Sequence, residues 1–317
     1  MSLKLVTVFG GSGFIGRHVV QRLAAQGLQV RVAVRDPEGA LFCKPMGDVG
    51  QVTPIQANIR NVASVKAAIK GADAVINLVG IMAEGGRQKF DTVQAIGAAN
   101  IAKAAADAGV KKLVHISAIG ADVTSKAPYA RSKAAGEAGV LAAFPTASIL
   151  RPSVVFGPQD RFFNKFGNMT DTMPFLPLID GGTTKFQPVY VGDVADAVMT
   201  CLNGDAQQEG KVFELAGPNQ YTFRDVMEMV LDQCDVHRGL VPLPSFMLMP
   251  VAWMLDWLPF PMPITVNQLQ FLKADNVASG DLPGLSDLGI TATSAELILP
   301  SYMVSHRQGG QYNASSA

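Results

Sequence analysis

Short apolar runs rich in β-branched residues alternate with alanine-rich stretches of helical period through the first two hundred positions. The runs at 5–9, 30–34, 52–56, 74–78, 113–117 and 148–150 are predicted strands. Between them the patterning predicts helices over 14–26, 62–69, 93–108 and 129–143, with Gly27, Gly71 and Gly109 placed to end the first three. Successive parallel strands need a long crossover, and a helix supplies it, so this alternation predicts an α/β fold with a doubly wound parallel sheet.

After Pro152 the rhythm changes, and prolines and aromatics crowd the stretch "FGPQDRFFNKFGNMTDTMPFLPLIDGG". Further on, "VGDVADAVMTCL" and "KVFELAG" read as one more helix and strand of the sheet. Thr222 with Asp225 predicts a helix start for 223–234. The expected organisation is a nucleotide-binding domain over 1–156, its sheet completed by about 185–216, and a smaller domain from 157–184 and 217–306. The small polar end, 307–317, is expected to be a frayed tail. The most apolar stretch, 245–264, holds both tryptophans and has Asp256 as its only charge. Its prolines prevent it from spanning a bilayer, so it is either a buried helix or an interface with a membrane or a protein groove.

Composition narrows the classes. Formal net charge is +0 and no Lys/Arg block stands out, which argues against a nucleic-acid partner. The content is 48% hydrophobic and 16% charged, apolar enough to suggest surface that something else covers. Cys43, Cys201 and Cys234 match neither a disulfide framework nor a metal-ligand spacing, and the histidines, His18, His115, His237 and His306, have no partners at ligand spacing. No metal site is expected. The opening "MSLKLVTVFGG" passes straight into a strand, which predicts no signal or transit peptide, and no apolar run is long enough for a transmembrane helix.

The chemistry begins at "VFGGSGFIGRHVV", where Gly10, Gly13 and Gly16 follow the first strand and open the first helix. That arrangement suits a dinucleotide pyrophosphate, held by backbone N–H groups from Ser12 through Phe14, Ile15 and Gly16 in the field of the helix N-terminus. At the end of the second strand Val34 takes the place where a carboxylate would meet a free ribose 2′-hydroxyl, and Arg35 follows it. Arg35 and Arg17 suit a 2′-phosphate, so NADPH (NADP+) is the expected cofactor. The alternative leaves both arginines solvated and gives the hydroxyl to Asp36.

"GGSGFIG", "ANIRN", "NLVG", "YARSK" and "RPSVVFG" together resemble the short-chain dehydrogenase/reductase superfamily in its extended or atypical branch. The resemblance implies a Rossmann-type sheet, with Asn58 and Ile59 beside the adenine and Asn77, Val79 and Gly80 along the ribose and nicotinamide. It also implies that Pro152 to Val154 face the nicotinamide amide. "RPSVVFGPQDRFFNKF", "FQPVYVGDVADAV" and "LQFLKADNVASG" resemble more closely the subfamily of the reductase-like accessory subunit of respiratory complex I. That implies a nucleotide-holding subunit of the NADH–quinone oxidoreductase, peripheral on the cytoplasmic side of a bacterial inner membrane. Its implied partners are complex I subunits near the junction of the peripheral and membrane arms.

Tyr129 and Lys133 stand one helical turn apart, as an acid/base pair does in working reductases, where the lysine lowers the tyrosine's pKa. They equally suit a purely cofactor-anchoring role. In "LVHISAIGADV" Ser117 precedes the usual catalytic serine position and Ile119 falls near it. Ser117 can reach the nicotinamide ribose, while a hydroxyl for the substrate carbonyl is not expected at Ile119. The sequence therefore points to a non-catalytic subunit. The alternatives are a stand-alone NADPH-dependent reductase, epimerase or dehydratase, and a sensor of NADPH level. Asp193 and Asp196 are expected to favour a helix start.

Overall fold

The computed structural model describes residues 3–204, 207–244 and 274–307. The expected apolar interface, 245–264, and almost all of the expected tail lie outside the described residues. Two compact units divide the chain: Met1–Pro152, Val191–Leu215 and Ser279–Thr291 form a sheet unit, and the remaining segments form a second unit.

In chain order the sheet unit contributes β1 (Leu5–Phe9), α1 (Phe14–Ala25), β2 (Gln29–Val34), β3 (Val52–Gln56), α2 (Val62–Ile69) and β4 (Ala74–Asn77). It continues with α3 (Ile96–Asp107), β5 (Lys112–Ile116), α4 (Pro128–Ala143) and β6 (Ser148–Pro152). The second unit then supplies β7 (Val155–Phe156), α5 (Phe163–Thr172), β8 (Phe175–Ile179), β9 (Lys185–Phe186) and β10 (Val189–Tyr190). Next come α6 (Val191–Asn203) and β11 (Val212–Leu215) of the sheet unit, then β12 (Tyr221–Thr222), α7 (Phe223–Cys234) and β13 (Gly239–Leu243) of the second.

All seven strands of the sheet run parallel in the order β11-β6-β5-β4-β1-β2-β3. The order reverses beside β1, which opens a crevice at the strands' C-terminal ends, the usual ligand position in such sheets. Register is tight: Val8 pairs with Val32 on one side and with Ile76 on the other, all of them fully buried. Each is apolar because strands covered by helices on both faces leave no solvent side. Gly27, Gly71 and Gly109 adopt φ of 77°, 74° and 68° just after α1, α2 and α3, the left-handed turn that ends a helix.

Three details depart from the sequence expectation. The helix predicted from 93 begins instead with a π-helical turn, Asp91–Ala95, and becomes α-helical at Ile96. The wider turn brings the Gln94 carbonyl against α4, where a Cβ on Gly136 would lie 2.3 Å from it. Residues 279–291 belong to the sheet unit, with the Glu214 N–H of β11 donating to the Pro283 carbonyl at 2.9 Å. Asp196 forms an ion pair with Arg22 of α1 at 2.6 Å instead of serving the start of α6.

In the second unit, Phe156, Phe162, Phe163, Phe166, Phe186 and Phe223 pack ring against ring around α5 and α7. α7 starts with a full capping box, Thr222 and Asp225 exchanging hydrogen bonds of 3.2 and 2.8 Å. Asp160 is buried there and accepts from Tyr302 Oη at 2.6 Å.

Candidate functional site

The glycine loop between β1 and α1 is shaped by missing side chains. Gly10 holds φ 79° while its N–H donates to the Ala33 carbonyl at 3.1 Å, anchoring the turn to β2. Gly13 N–H donates to the Gly10 carbonyl at 3.0 Å, and Gly13 is the N-cap of α1. A Cβ on Gly16 would sit 2.4 Å from the Gly10 carbonyl oxygen, so only glycine lets the helix approach the turn. Ser12, Phe14 and Ile15 are half-buried around an α1 N-terminus with no side-chain cap and no acidic residue in its first turn. Uncapped N–H groups in the positive field of a helix end suit an anion.

Beside the loop the charged side chains differ in freedom. Asp36 accepts from the Gly39 N–H at 3.2 Å, which commits it to the turn after β2. Arg35 is exposed and has no hydrogen bond or ion pair with the described residues. Arg17 is tethered twice, its Nε donating to the Gly13 carbonyl at 3.4 Å and its guanidinium lying 5.0 Å over the Phe42 ring.

Asn58 and Ile59 follow β3. Asn58 Oδ1 accepts from the Arg60 N–H at 3.1 Å, and the Ile59 carbonyl accepts from Asn100 Nδ2 at 3.0 Å. Ile59 is buried against Gly97 of α3.

At the ends of β4 and β5 the site is made of buried polar side chains. Asn77 is 2% exposed; its Oδ1 takes the Val79 N–H at 3.1 Å and its Nδ2 faces His115 Nδ1 at 3.0 Å. Because Asn77 Nδ2 can only donate, His115 Nδ1 accepts and its proton sits on Nε2. Burial, helped by Lys133, pushes the His115 imidazolium down to about 3, so the ring stays neutral. Lys133 Nζ donates to the Ile116 carbonyl at 3.3 Å, and a Cβ on Gly80 would lie 3.3 Å from that Nζ. Burial drives Lys133 down to about 8, opposed by the Glu137 carboxylate. Tyr129 stacks edge-on against Phe90 at 5.8 Å, and burial pushes its hydroxyl up to about 12.

Three buried atoms here have no hydrogen-bond partner among the described residues: Ser117 Oγ, Gln94 Oε1 and His115 Nε2. An unsatisfied buried polar atom costs about 1–3 kcal/mol, so such a cluster suits a hydroxyl-rich ligand. The uncapped helix end and these orphaned atoms fit a dinucleotide.

The structure thus brings Gly80, Ser117 and Lys133 to one place and puts Asn77 and Val79 beside it. Pro152 ends β6, its carbonyl accepting from the Ile119 N–H at 3.0 Å. Val154 belongs to the second unit, where its N–H donates to Asn276 Oδ1 at 2.8 Å. Sequence reasoning missed Gln94 and Glu137; each is a polar residue on a small-residue helix face beside a glycine, which is the signal that could have flagged them. Among the described residues no group of His, Cys, Asp or Glu could hold a metal ion.

Residues 6–216 match the model of the NAD dependent epimerase/dehydratase family. The chain is 36% identical over 316 residues to the mitochondrial NADH dehydrogenase [ubiquinone] 1 alpha subcomplex subunit 9 of Arabidopsis thaliana, covering 96% of this chain and 79% of that protein. It is 32% identical to the mitochondrial NADH-ubiquinone oxidoreductase 40 kDa subunit of Neurospora crassa, covering 98% of this chain and 82% of that one. The solved structure of DesIV, a dTDP-glucose 4,6-dehydratase from Streptomyces venezuelae with NAD and TYD bound, superposes with a TM-score of 0.72 at 19% identity, covering 94% of this chain and 95% of that chain.

Proposed function

The chain belongs to the NAD dependent epimerase/dehydratase family and, within it, to the alpha subcomplex subunit 9 family, and on that premise we propose that it is a nucleotide-holding accessory subunit of respiratory complex I. The observation that carries this is the extent of the likeness. It runs through nearly the whole chain, including the residues beyond 216 that the broader family model leaves unmatched.

A nicotinamide dinucleotide would rest its pyrophosphate on Gly10, Gly13 and Gly16, with Asn58 and Ile59 at the adenine. Asn77, Val79, Gly80, Ser117, Tyr129 and Lys133 would hold the nicotinamide ribose, and Pro152 would meet the amide. NADPH is favoured over NADH because Arg35 is uncommitted while Asp36 is engaged by its own turn. A bound nicotinamide supplies hydride, but the residues around it lack the means to use one well. Ser117 is buried with no hydrogen-bond partner among the described residues, and buried Ile119 lies where a substrate-orienting hydroxyl is expected. The nucleotide then acts mainly on stability, since only the folded chain binds it.

The subunit docks at the cytoplasmic face of a bacterial inner membrane, near the junction of the two arms of complex I, with the apolar stretch 245–264 as the contact. Among the described residues no helix is long and apolar enough to cross a membrane.

The test is a native pull-down of the tagged protein from detergent-solubilised membranes, run on a native gel stained for NADH dehydrogenase activity. Co-migration with a large active complex is expected, and Gly13→Asp, which puts a carboxylate at the pyrophosphate, should abolish it through loss of nucleotide. Normal assembly of a nucleotide-free variant refutes the coupling. One observation favours a second reading: Tyr129 and Lys133 stand intact, one turn apart on α4. A protein that stays unattached would make that pair the acid/base of a stand-alone NADPH-dependent reductase.

A further inference from the structure

A lysine buried at 5% exposure tends to give up its proton, and a neutral amine holds a ribose far less well than an ammonium does. The sheet unit counters this with residues further down the same helix. Glu137 stands one turn beyond Lys133 on the same face of α4 and is also 5% exposed. Arg151 of β6 grips its carboxylate with two parallel bonds, Nε to Oε1 at 2.8 Å and Nη2 to Oε2 at 2.6 Å. Arg151 is cross-strand partner to Glu214 of β11, whose carboxylate takes the Ser279 N–H at 2.6 Å and the Ser279 hydroxyl at 2.9 Å. Arg151 therefore fixes the Glu137 carboxylate in place one turn from Lys133, close enough to favour a positive charge there.

We propose that Glu137, clamped by Arg151, is a positioning residue that keeps Lys133 an ammonium at the nucleotide ribose. The inference rests on the reading in which Lys133 anchors that ribose. Tyr129 and Glu137 flank Lys133 one turn to either side on α4, with Arg151 of β6 on the far side of Glu137, while His115 and the Ile116 carbonyl face it from β5 and Gly80 from the loop after β4. His115 is already neutral above about pH 3 and Tyr129 is protonated to about 12, so neither changes charge in the window where Lys133 does, near 8. Binding an anionic nucleotide favours charged Lys133, so affinity falls as pH rises through that midpoint. Removing the Glu137 charge takes away the influence that holds the midpoint up, and the fall moves to lower pH.

The experiment titrates NADPH fluorescence against the intact chain from about pH 6 to pH 10, where lysine shifts of this kind are read. The same is done for Glu137→Gln and Glu137→Asp, with circular dichroism confirming the fold of each. The wild type should lose affinity up to about tenfold per pH unit above its midpoint. In E137Q the midpoint drops by about one unit, and in E137D, whose carboxylate is one methylene further back, it drops by less. An unmoved midpoint in E137Q overturns the inference, as do equal displacements in both variants, which would make the side chain's packing the cause. Should E137Q not fold, E137D decides alone, and an unmoved midpoint there overturns it. A wild type that binds no NADPH defeats the cofactor reading and this inference with it, whereas binding with an unmoved variant midpoint defeats the inference alone.

Discussion

The two ends of the candidate site are built on opposite terms. At the glycine loop the work is done by absent side chains: Gly10 holds a left-handed turn, and a Cβ on Gly16 would collide with that turn's carbonyl. At the Lys133 end it is done by present ones, with Asn77, Gln94, His115, Ser117 and Lys133 all buried and three polar atoms without a partner among the described residues. The first end has nowhere to relax, because backbone meets backbone. The second carries a standing desolvation cost that a ligand's hydroxyl groups would remove. Substitutions should therefore break the first end sterically and reshape the second electrostatically.

The largest effect is expected from Gly16→Val, which should cost about 3 kcal/mol in urea unfolding, the upper range of overpacking, and abolish nucleotide binding. A normal urea midpoint would mean that the loop has room the structure denies it. Arg35→Ala should weaken NADPH by about 10- to 100-fold in calorimetry, the worth of a charge-assisted bond, with little change for NADH. Equal losses for both cofactors would remove Arg35 from the 2′-phosphate. Ser117→Ala sharpens the contrast because its two effects have opposite sign. Deleting an orphaned hydroxyl should raise the melting stability of the nucleotide-free protein by up to about 1 kcal/mol while lowering NADPH affinity several-fold. A drop in both would mean that the hydroxyl already has a partner. Tyr129→Phe should change affinity by no more than about fivefold, since a single neutral hydrogen bond nets about 1 kcal/mol or less, while any reductase turnover disappears.

Most of the sheet unit was legible because its signals are local. The helix stops at Gly27, Gly71 and Gly109 need only a residue able to reach positive φ, and the strands β1 and β3 lie where their apolar runs begin and end. What escaped depends on residues far apart in sequence. The π turn at Asp91–Ala95 answers to Gly136 in another helix, and Asp196 is drawn to Arg22, 174 positions earlier. Glu137 could be read as one more polar residue on a helix until Arg151 arrived opposite it from β6. His115 falls within the predicted strand 113–117, but its orientation follows from Asn77, which only the pairing of β4 with β5 supplies.

The return of residues 279–291 to the sheet unit has a consequence for how the protein is made. β11 is the outermost strand, and its Glu214 is met by Pro283 at the backbone N–H and by Ser279 at the carboxylate, both far downstream. A ribosome adding about 5–20 residues per second delivers them about 3 to 14 seconds after β11 has emerged. During that interval the nascent sheet carries an open row of backbone donors and acceptors, the kind of edge on which a second chain can add itself. The segment that closes this edge is among the last parts of the described chain to be synthesised, so a ribosome that stalls before residue 279 releases a sheet that is complete in its strands and still adhesive along one side.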